Sequence, residues 1–242
     1  MIKNISLFLL PSLLISCATK PIEQSKLQQL NNVGVVSVLD DQAVVKYTGT
    51  TTFSNKEYAA NTAAWSLNKI IVDEIRAELK SQNKTSLDVN LDTQKINQGK
   101  KEAMSLKNIY LGNRYQGIQQ YVLDEAAKQG AKYVFVVHPT LNENFPVHKA
   151  GYGFLCQAPV GTKGELEAYF LIGAELWNVQ TKKIEAQATV TPQLVTVKTG
   201  KTCAEAAKMT PDKLASLYKD QIVSLAKKSA DLIMVGTGIT KK

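Results

Sequence analysis

The chain has 242 residues, 44% of them apolar and 21% charged, and a formal net charge of +8. The apolar share is ordinary for a globular protein, and the length suits one good-sized domain or two small ones. The basic excess is scattered over pairs such as Lys100-Lys101, Lys182-Lys183, Lys227-Lys228 and Lys241-Lys242. Without a dense Lys/Arg block it reads as solvated surface, so nucleic acid is not an expected partner.

Lys3 precedes an apolar run from Ile5 to Ile15, broken only by Ser6, Pro11 and Ser12. A bilayer core needs about 20 apolar residues; this run instead fits the roughly 7–15-residue h-region of a secretory signal. It stops at Leu14-Ile15-Ser16-Cys17, which resembles the bacterial lipobox. The resemblance implies a signal peptide over 1–16, cleavage before Cys17, and acylation of Cys17, so that a palmitate-type chain anchors the protein in a membrane. Two or more acyl chains make such anchoring stable. Ala18 stands where an Asp would imply retention at the inner membrane, so the resemblance points to the outer membrane with the domain facing the periplasm. After Cys17 only Cys156 and Cys203 remain; an even count in an oxidising compartment leads us to expect a disulfide between them.

Residues 18–32 are polar, with Pro21 and several Gln and Asn, and read as a tether, leaving 33–242 as a single α/β domain. Val33 to Leu39 and Ala43 to Tyr47 have strand character on either side of Asp40-Asp41, which predicts an opening hairpin. The Thr-rich stretch Thr48 to Phe53 continues extended. From about Tyr58 the period changes, and Leu67, Ile71 and Ile75 line one face of an amphipathic helix ending near Asn83. Ser86 to Leu91 alternates as a half-buried strand does. Residues 92–113 are weakly patterned, with a short helix expected around Ala103–Leu106. A firmer helix over Tyr115 to Gln129 closes at Gly130, and Lys132 to Val137 follows as a strand covered on both faces.

His138 to Gly164 reads as a long excursion, with Gly151-Tyr152-Gly153 as turn geometry. Glu165 to Trp177 and Lys182 to Val197 form the clearest hairpin signal. Thr210-Pro211-Asp212 is a helix start, with Thr as N-cap, Pro at N1 and an acid in the first turn. Leu214, Leu217, Leu225 and Leu232 mark that helix's apolar face, and Gly236 and Gly238 end it. Interleaved helices and strands predict a three-layer mixed sheet with flanking helices and a long antiparallel hairpin.

Motifs that carry chemistry are few. The chain has no G-x-S-x-G elbow, Walker loop, H-E-x-x-H or EF-hand loop. His138, at a strand end, and His148, in the next loop, are the candidate catalytic or metal pair, but no carboxylate or thiolate stands at ligand spacing. Asp40-Asp41 fit a turn better than acid–base work. Trp65 and Trp177 fit core positions better than a stacking pair. The expectation is therefore no catalytic residue, no metal and no cofactor.

The order Val33-Gly34-Val35-Val36-Ser37-Val38, the helix of Leu67, Ile71 and Ile75, the strand Gly130 to Val137, and the hairpin at Trp177-Asn178-Val179-Gln180-Thr181-Lys182-Lys183 is similar to a module of envelope lipoproteins. It resembles the periplasmic α/β modules of curli-secretion lipoproteins, of the TolB amino-terminal domain, and of penicillin-binding-protein activators. The resemblance implies binding of other envelope proteins or assembly into homo-oligomers rather than catalysis. The leading expectation is a non-catalytic binding or adaptor module, lipid-anchored, with an envelope protein as partner. An oligomeric secretion or assembly subunit and an envelope hydrolase or small-ligand-binding protein are the alternatives.

Overall fold

A computed structural model describes residues 19–49, 55–103, 116–159 and 161–241. The signal segment, Cys17, most of the Thr-rich stretch and nearly all of the helix expected around Ala103–Leu106 lie outside these.

Nine strands form one mixed sheet among the described residues. Its spine is β7 (Glu165–Asn178), 14 residues long. Along one edge of β7 run β5 (Tyr133–Pro139) and then β6 (Gly151–Gln157), both antiparallel to it. Along the other run β8 (Lys183–Val190) and then β9 (Thr196–Thr202), also antiparallel. Outside β5 and β6, and parallel to them, lie β1 (Val33–Ser37) and β2 (Gln42–Thr48). The margins are β4 (Ser86–Asp88), parallel to β1, and β3 (Lys56–Asn61), antiparallel to β2. Three long ribbons thus break between their two halves, and β7 alone crosses uninterrupted.

This corrects several expectations. β1 and β2 do not form a hairpin. They run on in one direction around the Asp40-Asp41 bend, because β5 and β6 capture each of them in parallel register. The segment from Tyr58 is not helical at first: Lys56–Asn61 is a strand, and the helix α2 begins at Leu67. The strand expected over Lys182 to Val197 is two strands, β8 and β9, and β6 lies inside the expected excursion. Gly153 explains β6. A Cβ there would sit 2.1 Å from the Val44 carbonyl oxygen, so only glycine lets β6 approach β2. The hairpin β7–β8 is present, with Glu185 as the extra residue where the register shifts between Leu176 and Trp177.

Helices flank both faces, as a three-layer architecture requires. The helices are α1 (Gln24–Gln29), α2 (Leu67–Ser81), α3 (Thr93–Ala103), α4 (Gln116–Lys128), α5 (Cys203–Ala206), α6 (Pro211–Leu217) and α7 (Lys219–Gly236). α2 buries Leu67, Ile71, Ile75 and Leu79, each worth about 1.5–3 kcal/mol out of water. These residues share one core with Ile222, Ala226, Ala230 and Ile233 of α7 and with Phe170, Ile172 and Leu176 of β7. On the opposite face Ile96 of α3 and Ile118, Val122 and Ala126 of α4 pack on Val36, Val134 and Trp177. The single helix expected after Thr210 is α6 and α7, separated at Tyr218.

Residues 20–32, read as a tether, pack onto the domain. Lys20 exchanges two backbone hydrogen bonds of 2.8 Å with Gln187 of β8. The Ile22 amide donates to the Thr237 carbonyl at 2.9 Å. Ile22 and Leu30 are both buried in the main core, Leu30 completely. Polar composition concealed this, because two apolar anchors in so short a polar stretch carry no periodic signal. Cys156 at the end of β6 is joined to Cys203 at the start of α5, with Cα atoms 5.5 Å apart, within the usual disulfide range.

Candidate functional site

The connection from β1 to β4 carries α2 on one face of the sheet, and the connection from β4 to β5 carries α3 and α4 on the other. Adjacent parallel strands whose connections leave to opposite faces open a crevice at their carboxyl ends, where ligands bind in α/β sheets. A crevice of about 720 Å³ lies there, lined by Ser37 to Gln42, Asp88 to Leu91, Asn68, Lys69, Asn97 and Lys100.

Its wall is fixed by one amide and two charges. The Asn68 side-chain oxygen accepts from Ser37 Oγ at 2.7 Å and from the Leu39 amide at 2.9 Å, and its Nδ2 donates to the Leu39 carbonyl at 3.1 Å. Asn68 thereby holds the bend between β1 and β2 to the first turn of α2. Lys100 Nζ reaches across from α3 to Asp40 Oδ1 at 2.8 Å and to the Leu39 carbonyl at 3.3 Å. From β6, which pairs with β2, Tyr152 Oη donates to the Asp40 carbonyl at 2.7 Å and accepts from buried Thr62 Oγ1 at 2.6 Å. Burial pushes the Tyr152 phenol well above its ordinary pKa, so it stays a donor at neutral pH. On the far side Gln129 clips Asn90 by two hydrogen bonds of 2.9 Å.

The crevice therefore has a rigid wall and a polar lip carrying Asp41, Asn90, Asn97 and Lys69. Such a lip supplies donors and acceptors for a polar ligand or peptide. Ser37 gives its proton to an amide oxygen, which is no base, so this hydroxyl is not activated as a nucleophile. Asp40 and Asp41 stand at the bend as the sequence suggests. Their place on a crevice was not legible, because the crevice depends on which face each crossover helix takes.

The two histidines do not meet. His138 Nε2 lies 3.9 Å from Glu175 and His148 Nε2 lies 3.2 Å from Glu167. These glutamates are eight residues apart on β7, about 26 Å of strand. The two histidines therefore rest against different carboxylates and do not share one. His148 is packed edge-on against Tyr169, with ring centroids 4.7 Å apart, and Tyr169 Oη accepts from the Lys149 amide at 3.1 Å. This cluster closes the loop after β5 over Leu155 and Leu171. Trp65 and Trp177 are buried, as expected of core residues. Among the described residues no group of three or more His, Cys, Asp or Glu is placed to hold a metal ion, and no helix is long and apolar enough to cross a membrane.

No family model matches the chain, and no curated protein matches it. Solved structures do align with it. A PelC dodecamer from Paraburkholderia phytofirmans is 12% identical over 82% of this chain and 89% of its own, with a TM-score of 0.26. Protein XCC0632 from Xanthomonas campestris is 8% identical over 83% and 82%, with a TM-score of 0.36. The LpoB C-terminal domain from Salmonella enterica is 15% identical over 69% and 91%, with a TM-score of 0.24. At such identities and TM-scores these likenesses carry no functional argument.

Proposed function

We propose that this chain is a lipid-anchored protein of the bacterial envelope, facing the periplasm from the outer membrane, that binds another envelope component at the crevice beside β1 and β4. The observation that carries the reading is the pattern of its three cysteines. Cys17 ends a lipobox-like signal, and the only two others, Cys156 and Cys203, are distant in sequence yet joined in the fold. This is the cysteine usage of an exported protein. The crevice contributes a fixed, polar recognition surface without an activated nucleophile, which suits binding rather than turnover.

The test is cross-linking in the native envelope from a photoreactive residue at Asp41, followed by mass spectrometry with and without reductant. A defined hetero-partner and a mature amino terminus at acylated Cys17 are the expected result. A ladder of self-cross-links transfers the reading to an assembly subunit. An amino terminus that is not Cys17 overturns the lipoprotein reading.

A further inference from the structure

The distance between lipid and domain is set by where the chain first touches the sheet. A free segment from Ala18 to Asn32 would span about 50 Å when extended. The chain is instead fixed at Lys20, by two hydrogen bonds to Gln187 in the middle of β8. Thr19 is already seated beside the end of α7: its Cγ2 lies 3.8 Å from the Cβ position that a side chain at Gly236 would occupy, and Ala188 of β8 is 3.0 Å from that same point. Gly238 stands against Pro21 in the same way. Only Ala18 and Thr19 separate Cys17 from Lys20, a reach of about 11 Å at most.

We infer that the β8 margin and the adjoining carboxyl end of α7 form a membrane-apposed face, which Cys17 holds directly against a lipid headgroup layer. This rests on the lipoprotein reading above. Acyl chains on Cys17 must enter the bilayer within that short reach, so the domain cannot stand off on a flexible stalk. The charges at this margin suit anionic headgroups. Lys20 Nζ donates to the Ile184 carbonyl, which places its ammonium next to Lys183, an exposed residue at the start of β8. Among the described residues neither lysine forms an ion pair with a carboxylate. The two acids here, Glu185 and Glu23, both face Lys26, at 2.6 and 3.6 Å. The opposite margin, β4 with the crevice, lies four strand spacings away, roughly 19 Å, and is turned from the lipid toward the periplasm.

The full acylated protein in vesicles of phosphatidylethanolamine and phosphatidylglycerol tests this. A single fluorophore is placed on Lys183→Cys or on Asp88→Cys, and a nitroxide on the lipid headgroup is the quencher. Quenching at position 183 should exceed that at position 88 several-fold, and a Gly/Ser insertion between Ala18 and Thr19 should erase the difference. Equal quenching at the two positions on protein whose Cys17 acylation is verified by mass overturns this inference alone. An unacylated amino terminus overturns the lipoprotein reading and this inference with it.

Discussion

Tyr152 shows how one hydroxyl can shape a site it does not line. It is buried, and its Oη bridges Thr62 Oγ1 and the Asp40 carbonyl, so it fixes the bend that forms the crevice wall. Tyr152→Phe should cost about 1–2 kcal/mol, because it removes two buried hydrogen bonds and leaves Thr62 without one; urea unfolding measures this. The pH dependence has a definite sign. Burial raises the phenol in the folded state, so its contribution is complete below about pH 10, where an unfolded tyrosine begins to ionise. It is lost as pH rises further. The wild type should lose stability above that pH, and Tyr152→Phe should lose less. In the sequence Gly151-Tyr152-Gly153 reads as a turn. The glycine that suggested a turn is there because a Cβ would strike the backbone of β2, and a contact between residues so far apart in the chain leaves no local pattern.

Elements with a period of their own were legible. The four-residue spacing of α2 and the Thr-Pro-Asp start of α6 are both present, and Thr210 Oγ1 accepts from the Lys213 amide as an N-cap does. So are the continuous apolar strand β5 and the left-handed Gly130 after α4. Elements defined by their partners were not. Ala43 to Tyr47 looks like the return strand of a hairpin until β6 claims it, and the amino-terminal segment looks like a tether until β8 and α7 hold it. That segment gives a sharp prediction. Leu30 is wholly buried in the main core, so Leu30→Ala should destabilise the domain by about 2–5 kcal/mol in urea titration. A substitution in a free tether would leave the midpoint unmoved.

At the scale of the molecule, the disulfide ties the far end of β6 to the first turn of α5 across a separation of 47 residues. The chain-entropy relation gives about 4 kcal/mol for a loop of that length. The double variant Cys156→Ala/Cys203→Ala should lose about that much in urea titration, and wild-type protein in reductant should shift by a similar amount. A value near zero would mean that the fold does not depend on the bridge. The sequence could name the two cysteines as partners from their number and compartment alone. It could not place the bridge beside the sheet's second half, where it fastens α5 beneath β9.

The uninterrupted passage of β7 also sets an order of events. Val33 of β1 pairs with Tyr133, 100 residues later, and Lys20 waits for Gln187. Pairings this remote slow folding, since long loops must close before any contact rewards them. On the proposed export route the amino end emerges first and is acylated, while every strand it will meet is still to come. On that route the chain would stay open until its later strands arrive, and the clasp between Lys20 and Gln187 would be among the last to shut.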